Sequence, residues 1–382
     1  MSLDVIYDHF KEIMNTKIDS LRSEAVLIDP SQTLSSVIAT VSKHDTFDVF
    51  CTEKGTTLNT NMRDLLLAKD ITDMKVRPFL HPVDSLNKED TVEKAVNILT
   101  HNRIRAAPIV EDGQITGIVH AKEILKLISE LDNKWINANQ IFTPNPYVVD
   151  KNTPLSTARK IMTTRRVDHL PVVDGDKVLQ VLTPYHILQT ILPLEKIGRK
   201  DYGSKKIRKL QASVGNLGTS RITSCAPLDD LNVVVDSMLH TNTTFCLVSL
   251  RNSLQGIITY RDILNLLTTK MKSAIPLFII GLPKEDNANI ITQKFTKVLD
   301  RLQKVYPDVQ EAKVYVKKHH GTGSRYNYEA SATIITPNQR YVFSRQGYDL
   351  SKVFDEISQR LLRLLAKRAK KRYKLSIRKI ER

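Results

Sequence analysis

A unit of roughly 60 residues recurs four times between about Ser23 and Lys270, and this repetition limits the fold more than any other feature of the chain. The fourth copy is the clearest. An extended segment around Ile222 leads to Pro227-Leu228-Asp229-Asp230, which opens a helix carrying Val233, Val234 and Met238. A β-rich run, Phe245-Cys246-Leu247-Val248, comes next. A turn then leads to Gln255-Gly256-Ile257-Ile258-Thr259-Tyr260-Arg261-Asp262-Ile263-Leu264, a strand running into a helix. The third copy repeats this grammar: Thr153-Pro154-Leu155 opens a helix, then His169-Leu170-Pro171-Val172-Val173-Asp174 and Val178 to Thr183 read as strands, with a helix from Pro184. The second gives Asp90-Thr91-Val92, Ala107 to Asp112, Thr116 to His120 and Lys122-Glu123-Ile124-Leu125. The first is the most worn: Ser31 to Leu34, Asp48 to Cys51, Thr57 to Thr60 and Arg63 to Leu66. The period is too long for a simple solenoid.

The Pro-Val-Val-Asp strand and the Gly-Ile-Ile-Thr-x-Arg-Asp junction resemble the cystathionine-β-synthase-type (CBS) repeat. The resemblance implies an α/β (α+β) fold in which four copies form two paired modules, each with a cleft for an adenosyl nucleotide. It also implies roles for the junction residues. A strand delivers Thr259 to the opening of a helix, where unpaired backbone N–H groups favour an anion. Asp262, acceptor-only when ionised, suits a pair of ribose hydroxyls. Arg261 lies between them. Copy three keeps Thr183 but has His186 at the Asp position, and copy two has His120 and Glu123. In copy one there is a residue too many between Thr60 and Asp64, or Asn61 stands in for Thr. The expectation is one site at Thr259 and Asp262, with Thr183, His120 and Glu123 belonging to degraded junctions. The competing reading makes all of these helix caps, each worth only about 1 kcal/mol. AMP, ADP and ATP are the ligands implied, and a purely structural role for the repeats stays open.

After Lys270 the grammar changes. Leu277 to Gly281 reads as a strand, and a helix runs to Val305 with Ile291, Phe295, Leu299 and Leu302 on one face. Three strands follow, Ala312 to Val316, Tyr328 to Ile334 and Tyr341 to Ser344. A final helix from near Asp349 or Ser351 carries Val353, Phe354, Ile357 and Leu361 on its apolar side. The order is βαβββα. The unit is basic: from Ile275 onward there are 23 Lys and Arg against 10 Asp and Glu, in a chain of net charge +16. Such asymmetry is the footprint of a polyanion binder. Tyr348-Asp349-Leu350-Ser351-Lys352-Val353-Phe354-Asp355 and the Arg/Lys-rich tail resemble the ribosome hibernation-promoting factor family. That resemblance implies a βαβββα RNA-binding domain on small-subunit rRNA, with the large subunit also open. The candidate RNA contacts are Lys317, Lys318, Arg325, Arg345, Arg360, Arg363, Lys367, Arg368, Lys370, Lys371, Arg372, Lys374, Arg378 and Lys379. A basic insert, Lys196 to Lys209, adds Lys205, Lys206, Arg208 and Lys209.

These readings divide the chain into an N-terminal helix (1–22), repeats at 23–75, 76–133, 134–195 and 211–271, the basic insert (196–210) and the C-terminal domain (272–382). The leading expectation is a cytoplasmic ribosome-binding factor that blocks translation; the alternative is an adenine-nucleotide-gated regulator of a protein partner. A DNA-binding role ranks last, because no helix-turn-helix pattern is present. No P-loop, GxSxG, HExxH or paired cysteine ligands occur, so neither an enzyme nor a metal site is expected. Cys51, Cys225 and Cys246 are scattered and read as free buried thiols. No apolar run is long enough to span a bilayer, and the start lacks the pattern of a signal peptide.

Overall fold

The computed structural model describes residues 3–68, 74–175, 177–191, 210–251, 253–268, 277–280, 288–305, 309, 311–320, 326–336 and 340–363. The chain divides into two units, Met1–Thr269 and Lys270–Arg382.

In the first unit the β-α-β-β-α order occurs four times. Each copy has a first helix (Leu34–Lys43, Val92–Asn102, Leu155–Arg165, Leu231–Thr241) followed by an antiparallel hairpin. A second helix starts where the hairpin ends, at Met62, Ala121, Pro184 and Tyr260. A left-handed residue follows every first helix, at the C-cap in copies two to four (Arg103, Arg166, Asn242) and one residue beyond it in copy one (Asp45), with φ between 46° and 55°. The hairpin begins three or four residues later. Phe47, Arg105, Asp168 and Thr244 therefore occupy equivalent places, two residues past each left-handed turn.

Helices and sheets join the copies in different combinations. The helices of copies one and three share one core, including Leu34, Val37, Leu65, Leu155, Met162 and Ile187. Those of copies two and four share another, with Val96, Ile124, Leu231, Val234 and Ile263. The sheets instead join consecutive copies, Phe50 packing with Ala106 and Ile118, and Val181 with Phe245 and Leu247. The single N-terminal helix expected from the sequence is broken at Phe10 into Leu3–His9 and Lys11–Asn15. The break lets Phe10, Ile13, Met14 and Ile18 all reach the core of copies two and four.

The segment before each copy edges the sheet of its neighbour. Thr143–Pro144 pairs with Ser253–Thr259, and Arg22–Ser23 pairs with Gln114–His120. This close approach requires glycine at Gly256, where an added Cβ would stand 2.0 Å from the Phe142 ring.

Two buried carboxylates tie the copies together. Asp168 of copy three meets Arg63 of copy one at 2.7 Å, with side-chain exposures of 8% and 2%. Burial acts to raise the Asp168 carboxyl, but Arg63, with Arg105, His169 and Arg261 around it, holds it below the ordinary range. Asp48 of copy one accepts from the backbone N–H groups of Arg105 and Ala106 of copy two, at 2.7 and 3.2 Å. There burial outweighs those hydrogen bonds and pushes the carboxyl up to about 7.

The second unit has a four-stranded sheet in the order Leu277–Ile280, Glu311–His320, Tyr326–Ile335, Arg340–Gly347, the first pair parallel and the others antiparallel. Ala288–Val305 is the crossover helix, and a helix over 350–363 follows the last strand. Asp349 caps it, Oδ1 accepting from the backbone N–H groups of Ser351 and Lys352. Both helices cover the same sheet face, Phe295 meeting Phe354 edge to face at 5.6 Å. The opposite face carries Lys317, Glu329, Ser331, Ser344 and Gln346.

Two outcomes follow from the buried carboxylates. Arg63→Met leaves Asp168 charged without its partner and should lose about 3–5 kcal/mol in urea unfolding, whereas the double variant Arg63→Met/Asp168→Leu should recover much of it. For Asp48 the folded state holds its proton to higher pH than the unfolded chain. Stability should therefore fall as pH rises from about 4 to 7, by an amount on the order of a few kcal/mol. Asp48→Asn should lack that slope in denaturation curves taken across the range.

Candidate functional site

Each strand-to-helix junction of the first unit leaves backbone N–H groups to be capped, and each copy solves this with a different residue pair. In copy four Asp262 Oδ2 accepts from Thr259 N–H at 2.8 Å and from its hydroxyl at 2.6 Å, while Thr143 donates to Oδ1 at 3.2 Å. This is a closed capping box. In copy three His186 takes the place of the carboxylate: Thr183 N–H donates to Nδ1 at 3.1 Å, and the Thr183 hydroxyl lies 2.9 Å from it. In copy two His120 is itself the cap, its Nδ1 accepting from Lys122 N–H at 3.1 Å. In copy one Asn61 accepts from Asp64 N–H at 3.1 Å, so Asn61 holds the Thr position.

A cavity of about 370 Å³ opens within this unit, lined by residues of all four copies. Its polar wall includes Arg105, Lys122, Arg221, His120, Thr183 and His186, its apolar wall Phe47, Leu125, Met238 and Phe245. Thr241, Thr243 and Thr244 add hydroxyls. Asp45, which is exposed, is the carboxylate among the lining residues. The Arg105 guanidinium carbon lies over the Phe47 ring, 3.8 Å from its centroid, and 5.7 Å from that of Tyr260. Its Nε is buried and has no hydrogen-bond partner among the described residues. Lys122 donates to Asn242 Oδ1 at 2.7 Å, a neutral partner that leaves its charge uncompensated there. Burial first, and then the Arg105 charge, push His120 down to about 4 and His169 to about 3. Burial also lowers His186. His169 Nε2 lies 2.7 Å from Thr244 Oγ1.

The cavity thus brings together His120 and Thr183 of the residues expected from sequence. Thr259, Asp262, Arg261 and Glu123 are not among its lining residues; Thr259 and Asp262 bond each other, and Glu123 is held by Lys126 at 2.7 and 2.9 Å. Sequence reasoning missed Arg105, Lys122, Arg221 and His186 as lining residues. Arg103-Ile104-Arg105 just before a strand was the available signal for the first.

In the second unit Lys317, Lys318, Arg360 and Arg363 are exposed. Lys318 Nζ stands 3.7 Å from the centroid of the Tyr326 ring. Arg345 faces the helices instead, its Nε 3.1 Å from Glu356 Oε2, because it sits opposite Ala330 on the covered side of the sheet. Arg325, Lys367, Arg368, Lys370, Lys371, Arg372, Lys374, Arg378, Lys379, Lys205, Lys206, Arg208 and Lys209 lie outside the described residues. Among the described residues no group of His, Cys, Asp and Glu could hold a metal, and no helix is long and apolar enough to cross a membrane. Cys51, Cys225 and Cys246 are free and buried.

Comparison with known proteins assigns the repeats. The family described as "CBS domain" matches residues 69–130, 138–193 and 214–269. The uncharacterised protein MJ1404 of Methanocaldococcus jannaschii is 24% identical over 293 residues, spanning 74% of this chain and 68% of that one. The crystal structure of protein MJ1225 from the same organism superposes with a TM-score of 0.59 at 14% identity, over 66% of this chain and all of the other. A structure of CBSX2, 20% identical with a TM-score of 0.28 over 34% of this chain and 94% of that one, is a complex with AMP. The first unit therefore carries three CBS domains, preceded by a segment that repeats their order of strands and helices.

Proposed function

We propose that the chain is a regulatory protein that senses an adenine nucleotide in the cavity of its first unit. The observation that carries this reading is the lining: Arg105, Lys122 and Arg221 against the single carboxylate of Asp45, beside an apolar wall able to take a base. The volume of about 370 Å³ lies in the range of small-molecule sites. Because four copies contribute to one wall, a ligand binding one arrangement better than another shifts the balance between them. That is the physical basis of sensing in this reading.

A second reading concerns the C-terminal unit, and its βαβββα order and positive charge favour it. In this reading the unit docks on ribosomal RNA of the small subunit, through phosphate contacts that position without reading sequence. The CBS unit then reports nucleotide status to a protein that silences ribosomes.

Isothermal titration of the full chain with ATP, ADP and AMP tests the first reading. Saturable binding is expected, and Arg105→Met should weaken it at least about tenfold, the scale of one charge-assisted contact. Asp262→Asn should cost about 1 kcal/mol of stability and change affinity by less than about threefold. Absence of any nucleotide binding would refute this reading. For the second, sedimentation with ribosomes at low salt should carry the protein into the particle fractions. The charge reversal Lys367→Glu/Lys370→Glu/Lys371→Glu should return it to the top of the gradient with nucleotide binding unchanged.

A further inference from the structure

Two junctions border the cavity closely, and neither places a carboxylate among its described lining residues; Asp45, the carboxylate that does line it, is exposed on the turn after the first helix of copy one and belongs to neither junction. At the copy-three junction His186 occupies the position that Asp262 fills in copy four. Its Nδ1 accepts from Thr183 N–H, so the ring's proton must sit on Nε2. At the copy-two junction His120 Nδ1 is used in the same way by Lys122 N–H. The carboxylate three residues on, Glu123, is held by Lys126 and is not part of the lining. Each imidazole is thereby left as a donor. The Arg105 guanidinium and the Lys122 ammonium have no acceptor capacity at all.

A ribose diol is recognised best by an acceptor-only group such as a carboxylate, because both hydroxyls can donate to it. Phosphate oxygens are the converse, acceptors that need donors and positive charge. Resting on the reading of this cavity as an adenine-nucleotide site, we infer that the ligand is held by its phosphates and not by its ribose. His186 is the specificity-determining residue, since it keeps the backbone cap while removing the carboxylate. The site consequently selects ligands by phosphate count and is indifferent to the 2′-hydroxyl. It also rejects S-adenosylmethionine, whose sulfonium would face Arg105 and Lys122.

Titration of the full chain with ATP, dATP, ADP, AMP, adenosine and S-adenosylmethionine tests the inference. The expected result is dATP within about threefold of ATP, affinity falling from ATP to AMP, and adenosine and S-adenosylmethionine at least about tenfold weaker than ATP. His186→Asp rebuilds the acceptor with a side chain that can make the cap seen at Asp262, so the fold should hold, as a thermal melt would verify. That variant should bind ATP several-fold more weakly and discriminate against dATP where the parent does not. A tenfold preference of the parent for ATP over dATP would overturn the inference while leaving nucleotide sensing intact. So would equal binding of adenosine or S-adenosylmethionine, or a His186→Asp variant with no ribose preference. Failure of every adenine ligand to bind would remove both this inference and the reading beneath it.

Discussion

A β-α-β-β-α copy has two apolar faces, one on its sheet and one on its helices, and it cannot bury both alone. The structure resolves this by giving each face a different partner. Sheets close on the neighbouring copy in sequence, helices on the alternate one. A fully buried aliphatic side chain contributes about 1.5–3 kcal/mol relative to exposure, so cores of this size leave little freedom in the arrangement. The position of every junction follows from that closure. The cavity is what remains where residues of four copies converge without enough apolar volume to fill the space.

The junctions show how one backbone requirement tolerates very different chemistry. The N–H groups at a helix start must be satisfied. Asp262, His186, His120 and Asn61 each meet that need, with donor–acceptor distances between 2.8 and 3.1 Å. What changes is the group left over. Asp262 also spends its second oxygen on Thr143, whereas His186 and His120 leave a ring nitrogen unused by the cap. The repeat can thus keep its fold while the group left over at each junction changes, because the cap uses only some atoms of the side chain.

Much of the architecture was legible in the sequence. The strand and helix order of copies two, three and four was visible because turns, Pro-Val-Val runs and helix openings recur at matching offsets. The βαβββα order of the second unit was visible for the same reason, in the alternation of Tyr328, Ala330, Ala332 and Ile334. The partnering of copies was not legible, since Ile124 or Leu231 announces only that it is apolar and not which helix it meets. The left-handed turns at Asp45, Arg103 and Arg166 also went unseen, because none is glycine, the residue that normally signals such backbone. The lining of the cavity was not legible for the same reason. Thr259 and Asp262 carry the more complete motif, but a motif shows residue type and not whether its atoms already bond each other. Arg105 and His186 matter through what they face, which depends on copies distant in sequence.

The sequence reading placed ribosome binding first and nucleotide gating second, and the two readings call on cations in different surroundings. The two units would both select anions but by different physics. In the cavity Arg105 and Lys122 are partly buried beside apolar groups such as Phe47 and Phe245, where a charge is screened less than at an open surface, although Arg221 is exposed. The second unit offers the opposite case, exposed cations such as Lys317, Arg360 and Arg363. There the attraction comes from displaced counterions and weakens steeply with ionic strength. A chain that joins the two would lose small-molecule affinity less steeply with salt than it loses RNA. Under the two proposed readings, ionic strength would separate the contributions of the two units without any mutation.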